Sequence, residues 1–266
     1  MNSKFYRNYS TKKESEISTS RDKVLPCAEG VEITEEKETS PSAKPSNLKN
    51  SSYPRDRKRA NSNNPLILTE YLKEALIGLT LGDLSLEKAT NNSNVRLRFD
   101  QGIIHSNYLY FLYDKFKDYT LTPPKSTNRK PDKRTGKIYN SLIFKTRMLP
   151  CFNYLWELFY KDGKKIIPSN IKDLLTEVGL AYWIMDDGGL GSGGVLKLNT
   201  DSYTEFEVEL LMSALAQNFN LKCRKYLKRS NQWVIVIPKS QVIQVAEITY
   251  KHFHPSMYYK IGREYV

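Results

Sequence analysis

From residue 66 onward, apolar and polar positions fall into short periodic blocks. In TEYLKEALIGLTLG, Thr69 is placed to cap a helix running from Glu70 to about Gly82. VRLRFDQ (95–101) alternates strictly, with Val95, Leu97 and Phe99 on one face and Arg96, Arg98 and Asp100 on the other. That pattern predicts a half-buried strand with a charged face. SNYLYFLYDKF (106–116) reads as an amphipathic helix capped by Ser106, NSLIFKT (140–146) as a strand, and PCFNYLWELFY (150–160) as an apolar helix before KKIIP (164–168).

The same order then repeats. LAYWIMDD (180–187) is an apolar helix ending on two acids, and VLKLNTDS (195–202) alternates as a strand. TEFEVELLMSALAQNF (204–219) opens with a Thr204/Glu207 capping box. CRKYLKRSNQWVIVIP (223–238) reads as a hairpin turning near Ser230 and Asn231, and SQVIQVAEITYKHF (240–253) as a helix before YYKIG (258–262). The expectation is a duplicated α+β unit, with a first half over 65–168 and a second over 169–266. Residues 1–64 are rich in Ser, Lys, Glu, Thr and Asn and poor in large apolar side chains, so they are expected to be a disordered polar tail.

Charge narrows the partners. The 266 residues carry 41 Lys+Arg against 29 Asp+Glu, a formal net charge of +12, which suits a polyanion. The three cysteines (Cys27, Cys151, Cys223) have neither metal-ligand nor redox spacing, so reduced thiols are expected. No apolar run approaches the roughly 20 residues of a membrane span. Lys4, Arg7, Lys12 and Lys13 precede the first acid, Glu14, as in a mitochondrial presequence, but later acids blur that signal.

The two apolar helices carry small residues (Gly78 and Gly82; Ala181), which permit close side-by-side packing. Such packing brings Asp83 and Asp187 together at two helix C-termini, against each other and against the negative ends of the helix dipoles. A divalent cation relieves that arrangement, and oxygen ligands select a hard ion such as Mg²⁺. Arg96, Arg98, Lys145 and Arg147 in the first half recur as Lys197, Lys222, Arg224, Lys225, Lys228 and Arg229 in the second. Basic strand faces of this kind can enter a DNA major groove.

ALIGLTLGD and LAYWIMDDGG resemble the two copies of the LAGLIDADG motif of homing endonucleases, the second in the form of the mitochondrial omega-intron group. KKIIPSN, LNTDSYTEFEVE and MYYKIG extend the likeness over about 66–262. The resemblance implies two pseudo-symmetric αββαββα halves with central packed motif helices and DNA-binding antiparallel sheets. It implies a monomer that cuts both strands of a long asymmetric double-stranded DNA site with Mg²⁺ or Mn²⁺. By position, Asp83 and Asp187 are the metal-binding acids. Lys165 and Lys260 are the lysines near the scissile phosphates, with Lys164 an adjacent competitor. Asp100 and Gln101 are candidates to orient water, and Asp186 has a supporting or helix-ending role. Leu84 stands where glycine is usual. The family's usual location implies a mitochondrion, or else a chloroplast. Three other readings stand beside cleavage. One is a maturase of the same fold that binds intron RNA, and another is a polymerase suggested by WIMDD. The third is a basic binding protein whose acids only end helices.

Overall fold

Thr69 and Thr176 begin the two helices around which the chain is arranged. The computed structural model describes residues 66–131 and 133–263, so the expected tail over 1–64 lies outside the described residues. The Thr69 hydroxyl accepts from the N–H of Leu72 and starts α1 (Glu70–Leu81), buried from Ala75 to Leu81. Then follow β1 (Ser85–Glu87), β2 (Arg96–Gly102), α2 (Ser106–Phe116), β3 (Lys125–Asn128), β4 (Asn140–Lys145) and α3 (Asn153–Phe159). A two-residue hairpin of β5 (Tyr160–Lys161) and β6 (Lys164–Lys165), then α4 (Ile171–Leu174), lead into the second unit.

There the Thr176 hydroxyl accepts from Gly179 N–H and starts α5 (Glu177–Asp187). β7 (Gly188–Leu190), β8 (Leu196–Thr200), α6 (Glu205–Phe219), β9 (Arg224–Arg229), β10 (Gln232–Ile237) and α7 (Lys239–Thr249) follow, and a 3₁₀ turn covers Pro255–Ile261. The two sheets have one topology, β1-β2-β4-β3 and β7-β8-β10-β9, antiparallel at every pairing. Each unit therefore runs αββαββα.

The motif helices meet backbone to backbone. A Cβ on Gly78 would lie 1.9 Å from the carbonyl oxygen of Gly179, and one on Gly82 would lie 2.5 Å from the Asp186 Cβ. The small residue opposite Gly78 is thus Gly179, not Ala181. Leu76, Leu79, Tyr182 and Trp183 are fully buried around this contact.

Local differences from the expected pattern have simple causes. Ser106 is the first residue of α2, not its cap, because a 3₁₀ turn over Ile103–His105 already bends the chain into the helix. Residues 150–152 form a 3₁₀ turn ahead of α3. β1 and β7 are three residues each, too short to show a period. The Thr204/Glu207 capping box is formed in both directions. No helix among the described residues is long and apolar enough to cross a membrane.

Candidate active site

At the C-terminal ends of α1 and α5, backbone carbonyls lose their helical partners. A lysine fills each gap. Lys165 Nζ, from β6, donates to the carbonyls of Thr80 (2.9 Å), Gly82 (3.1 Å) and Leu84 (3.0 Å). Lys260 Nζ, from the C-terminal 3₁₀ turn, donates to those of Met185 (2.5 Å) and Asp186 (2.8 Å). Both cations thus sit at the negative ends of helix dipoles. Burial lowers the pKa of each ammonium, while the charges of Asp83, Asp186 and Asp187 oppose that shift. Lys164 is exposed on β6 and pairs across the hairpin with Lys161.

Three carboxylates share this end of the helix pair. Asp83 is exposed, and its Oδ2 accepts from Gln101 Nε2 at 2.9 Å. Asp187 is half-buried, and its backbone carbonyl accepts from Asn199 Nδ2 at 3.0 Å. Burial, then the charge of Asp83, pushes the Asp187 carboxyl up to about 7, with Lys165 and Lys260 pulling the other way. Asp186 accepts from the N–H of Asp83 (Oδ2, 3.1 Å) and from the Tyr108 hydroxyl (Oδ1, 3.0 Å). Burial, then the charges of Asp83 and Asp187, holds it well above the usual carboxylate range.

Three carboxyls crowd this end of the helix pair, and the raised Asp186 and Asp187 reflect their burial and mutual repulsion. Among the described residues no three or more His, Cys, Asp or Glu side chains are grouped to hold a metal. A closed protein cage is therefore absent there. Mg²⁺ is commonly held by one or two carboxylates, with water and substrate phosphate completing its shell. The carboxyl oxygens of Asp83 and Asp187 are hard ligands of that kind.

The two water-orienting candidates separate. Gln101 lies at the end of β2, buried, on Asp83 and 3.5 Å from Asp186 Oδ1. Asp100 instead points to the opposite face of the strand and pairs with Arg98 (2.8 Å) and Arg129 (2.9 Å).

The same alternation sorts the basic residues. Arg96, Arg98 and Lys145 share one face of the first sheet, where Arg96 and Lys145 pair with Glu87 at 2.7 and 3.0 Å. Four cations, counting Arg129, share Glu87 and Asp100. Such half-exposed pairs are weak, and phosphates can displace them. In the second sheet Lys197, Arg224 and Lys228 lie on the corresponding face, with Lys197 over the Tyr226 ring and Lys228 3.1 Å from Asp201. Lys225 does not join them. It falls on the opposite face, paired with Glu205 and Glu209 of α6 and packed on Trp233. Arg147 donates to the Asp118 carbonyl.

One basic feature goes beyond the residues singled out above. The β3–β4 connection, residues 129–139, carries Arg129, Lys130, Lys133, Arg134 and Lys137, together with exposed Ile138 and Tyr139. The β9–β10 connection is only Ser230 and Asn231. The signal was in plain view as NRKPDKRTGK, but without strand periodicity to place it.

The sequence profile of the LAGLIDADG DNA endonuclease family matches residues 73–244, and the chain belongs to that family. Among its relatives, the cytochrome b mRNA maturase bI2 of Debaryomyces hansenii is 35% identical over 210 residues, covering 76% of this chain and 77% of the maturase. The intron-encoded endonuclease ai4 of Dictyostelium discoideum is 40% identical over 130 residues, 47% of this chain and 80% of that one. Among solved structures, the homing endonuclease I-WcaI bound to its DNA recognition sequence superposes with a TM-score of 0.68 at 29% identity, covering 74% of this chain and 88% of I-WcaI.

Proposed function

We propose that this DNA endonuclease hydrolyses one phosphodiester on each strand of a long, asymmetric double-stranded site, as a monomer of two halves (65–168 and 169–266). The observation that carries the reading is the pair of helix ends bearing Asp83 and Asp187, each backed by a lysine on the terminal carbonyls. Asp83 and Asp187 would hold Mg²⁺ or Mn²⁺, which when bound supplies Lewis acidity and an activated water. Lys165 and Lys260 hold their Nζ donors beside the acids, where a phosphate would approach. Gln101 fixes the Asp83 carboxylate. The basic sheet faces, with Arg96, Arg98 and Lys145 on one and Lys197, Arg224 and Lys228 on the other, would lie along the duplex. The maturase names among the relatives support an intron setting in an organelle, the mitochondrion first, and a second reading in which the chain binds intron RNA.

Incubation with a randomised duplex library and Mg²⁺ tests the reading. A single cleaved site should be recovered, and none should be recovered with EDTA. Intact DNA alongside tight binding of intron RNA would select the maturase reading instead.

The 129–139 hairpin should bind the DNA flank through phosphates. Substituting Lys130, Lys133, Arg134 and Lys137 together by Gln should flatten the slope of log affinity against log salt. Each lost phosphate contact removes about 0.9 from that slope. An unchanged slope on the same duplex would exclude the hairpin from the interface.

A further inference from the structure

Gly82 and Asp186 occupy the same place in the two motifs, since LIGLTLGD (76–83) and LAYWIMDD (180–187) align with one opposite the other. The lysines agree: Lys165 donates to the carbonyl of Gly82 and Lys260 to that of Asp186. These two equivalent positions also face each other. A Cβ on Gly82 would lie 2.5 Å from the Asp186 Cβ and 2.7 Å from its Oδ2. Where the helix ends meet there is room for one side chain, not two, so the duplicated chain must break its symmetry here.

Asp186 fills that space and bonds to the first half. It accepts from the main-chain N–H of Asp83 and from Tyr108, and Gln101 Nε2 lies 3.5 Å from its Oδ1. Gln101 in turn donates to the Asp83 side chain. Backbone and carboxylate of Asp83 are thus both tied into one frame with Asp186 and Gln101. Tyr108 is the third residue of α2. The third residue of α6 is Glu207, whose carboxylate is occupied by Thr204 and by the N–H of Ile167. Asp187 has a different support, the bond from Asn199 to its carbonyl.

We propose that Asp186 is a positioning residue for the Asp83 cleavage centre alone, holding Asp83 and Gln101 through bonds that the Asp187 centre does not share, so that the two DNA strands depend on it unequally. The proposal rests on the endonuclease reading above. Asp186→Asn keeps the side-chain volume but turns one acceptor oxygen into a donor, which cannot accept from Asp83 N–H or from Tyr108. Tyr108→Phe removes one bond of the same frame from the other side.

The test uses the full chain and a cleavable duplex in Mg²⁺, with the two strands carrying different end labels, and reads both strand rates in one single-turnover reaction. The ratio of the two rates cancels any difference in the fraction of folded protein. Both variants should slow the same strand relative to the other, by roughly tenfold for Asp186→Asn, as expected for losing a buried hydrogen bond. Nicked duplex should accumulate. A wild-type ratio in both variants, or opposite strands slowed by the two, would overturn the proposal while leaving the endonuclease intact. Wild-type protein that leaves every duplex uncut would instead overturn the endonuclease reading itself, and the proposal with it.

Discussion

Asp187→Asn should abolish double-strand cleavage, by roughly 10³-fold or more, while DNA binding stays within a few-fold of wild type. The size follows from the several kcal/mol that a metal's charge lends to a phosphodiester transition state, at about 1.4 kcal/mol per tenfold in rate. Binding survives because the basic sheet faces and the 129–139 hairpin are elsewhere. The same substitution should raise the melting temperature in metal-free buffer at neutral pH and above. The Asp187 carboxyl is raised from 3.8 to about 7 by burial and by Asp83, so the fold favours its protonated form. That favourable contribution is complete below about pH 4 and is lost as pH rises through about 7. Asparagine stays neutral throughout, so variant and wild type should melt alike near pH 4 and diverge by a few degrees at pH 8. For a domain of this size 1 kcal/mol is worth about 2–4 °C. Calorimetry with EDTA reads this directly. Undiminished cutting would remove Asp187 from the metal site, and a lower melting temperature at pH 8 would refute the buried-charge argument.

That prediction rests on Asp83 and Asp187, whose place at the ends of two apolar helices is legible in the sequence. Long apolar segments ending in an acid occur twice, each followed by strict alternation and a capped helix, and such strong periods survive into the fold. What escaped was of a different physical kind. Strands of three residues have no period. Lys225 follows Arg224 directly, so strand alternation alone puts it on the other face; grouping both by charge set that rule aside. Asp100 and Gln101 are likewise neighbours on opposite faces, and only the second reaches a motif acid. Tyr108 reads as one more aromatic on an apolar helix face. Its hydroxyl matters only because α2 packs beside the end of α5, a contact between residues 78 positions apart in the chain. Gly179 shows the same limit, because its use depends on which turn of the facing helix comes closest.

Among the described glycines Gly78→Ala should be the most damaging alanine substitution, and Gly179→Ala should cost little, although the two glycines touch. In isolation each change favours the helix by about 1 kcal/mol. At Gly179 the new Cβ would sit 3.3 Å from the Glu74 carbonyl oxygen and from a Leu175 methyl, a tight contact that small shifts relieve. Propensity and crowding then roughly cancel. At Gly78 the new Cβ would sit 1.9 Å from the Gly179 carbonyl oxygen and 2.7 Å from its carbon. Backbone cannot rotate away as a side chain does, so the helices must separate by an ångström or more. Overpacking of this kind costs typically 1–3 kcal/mol and sometimes more. Separation also moves Asp83 away from Asp186 and Asp187, so cleavage should fall further than stability does. Thermal melting and strand cleavage measured on both variants check the pair. Equal melting temperatures for Gly78→Ala and wild type would mean that the motif helices do not cross at these glycines. A folded Gly78→Ala protein that cuts normally would mean that the site tolerates a wider spacing of its acids than the geometry at Gly82 and Asp186 permits.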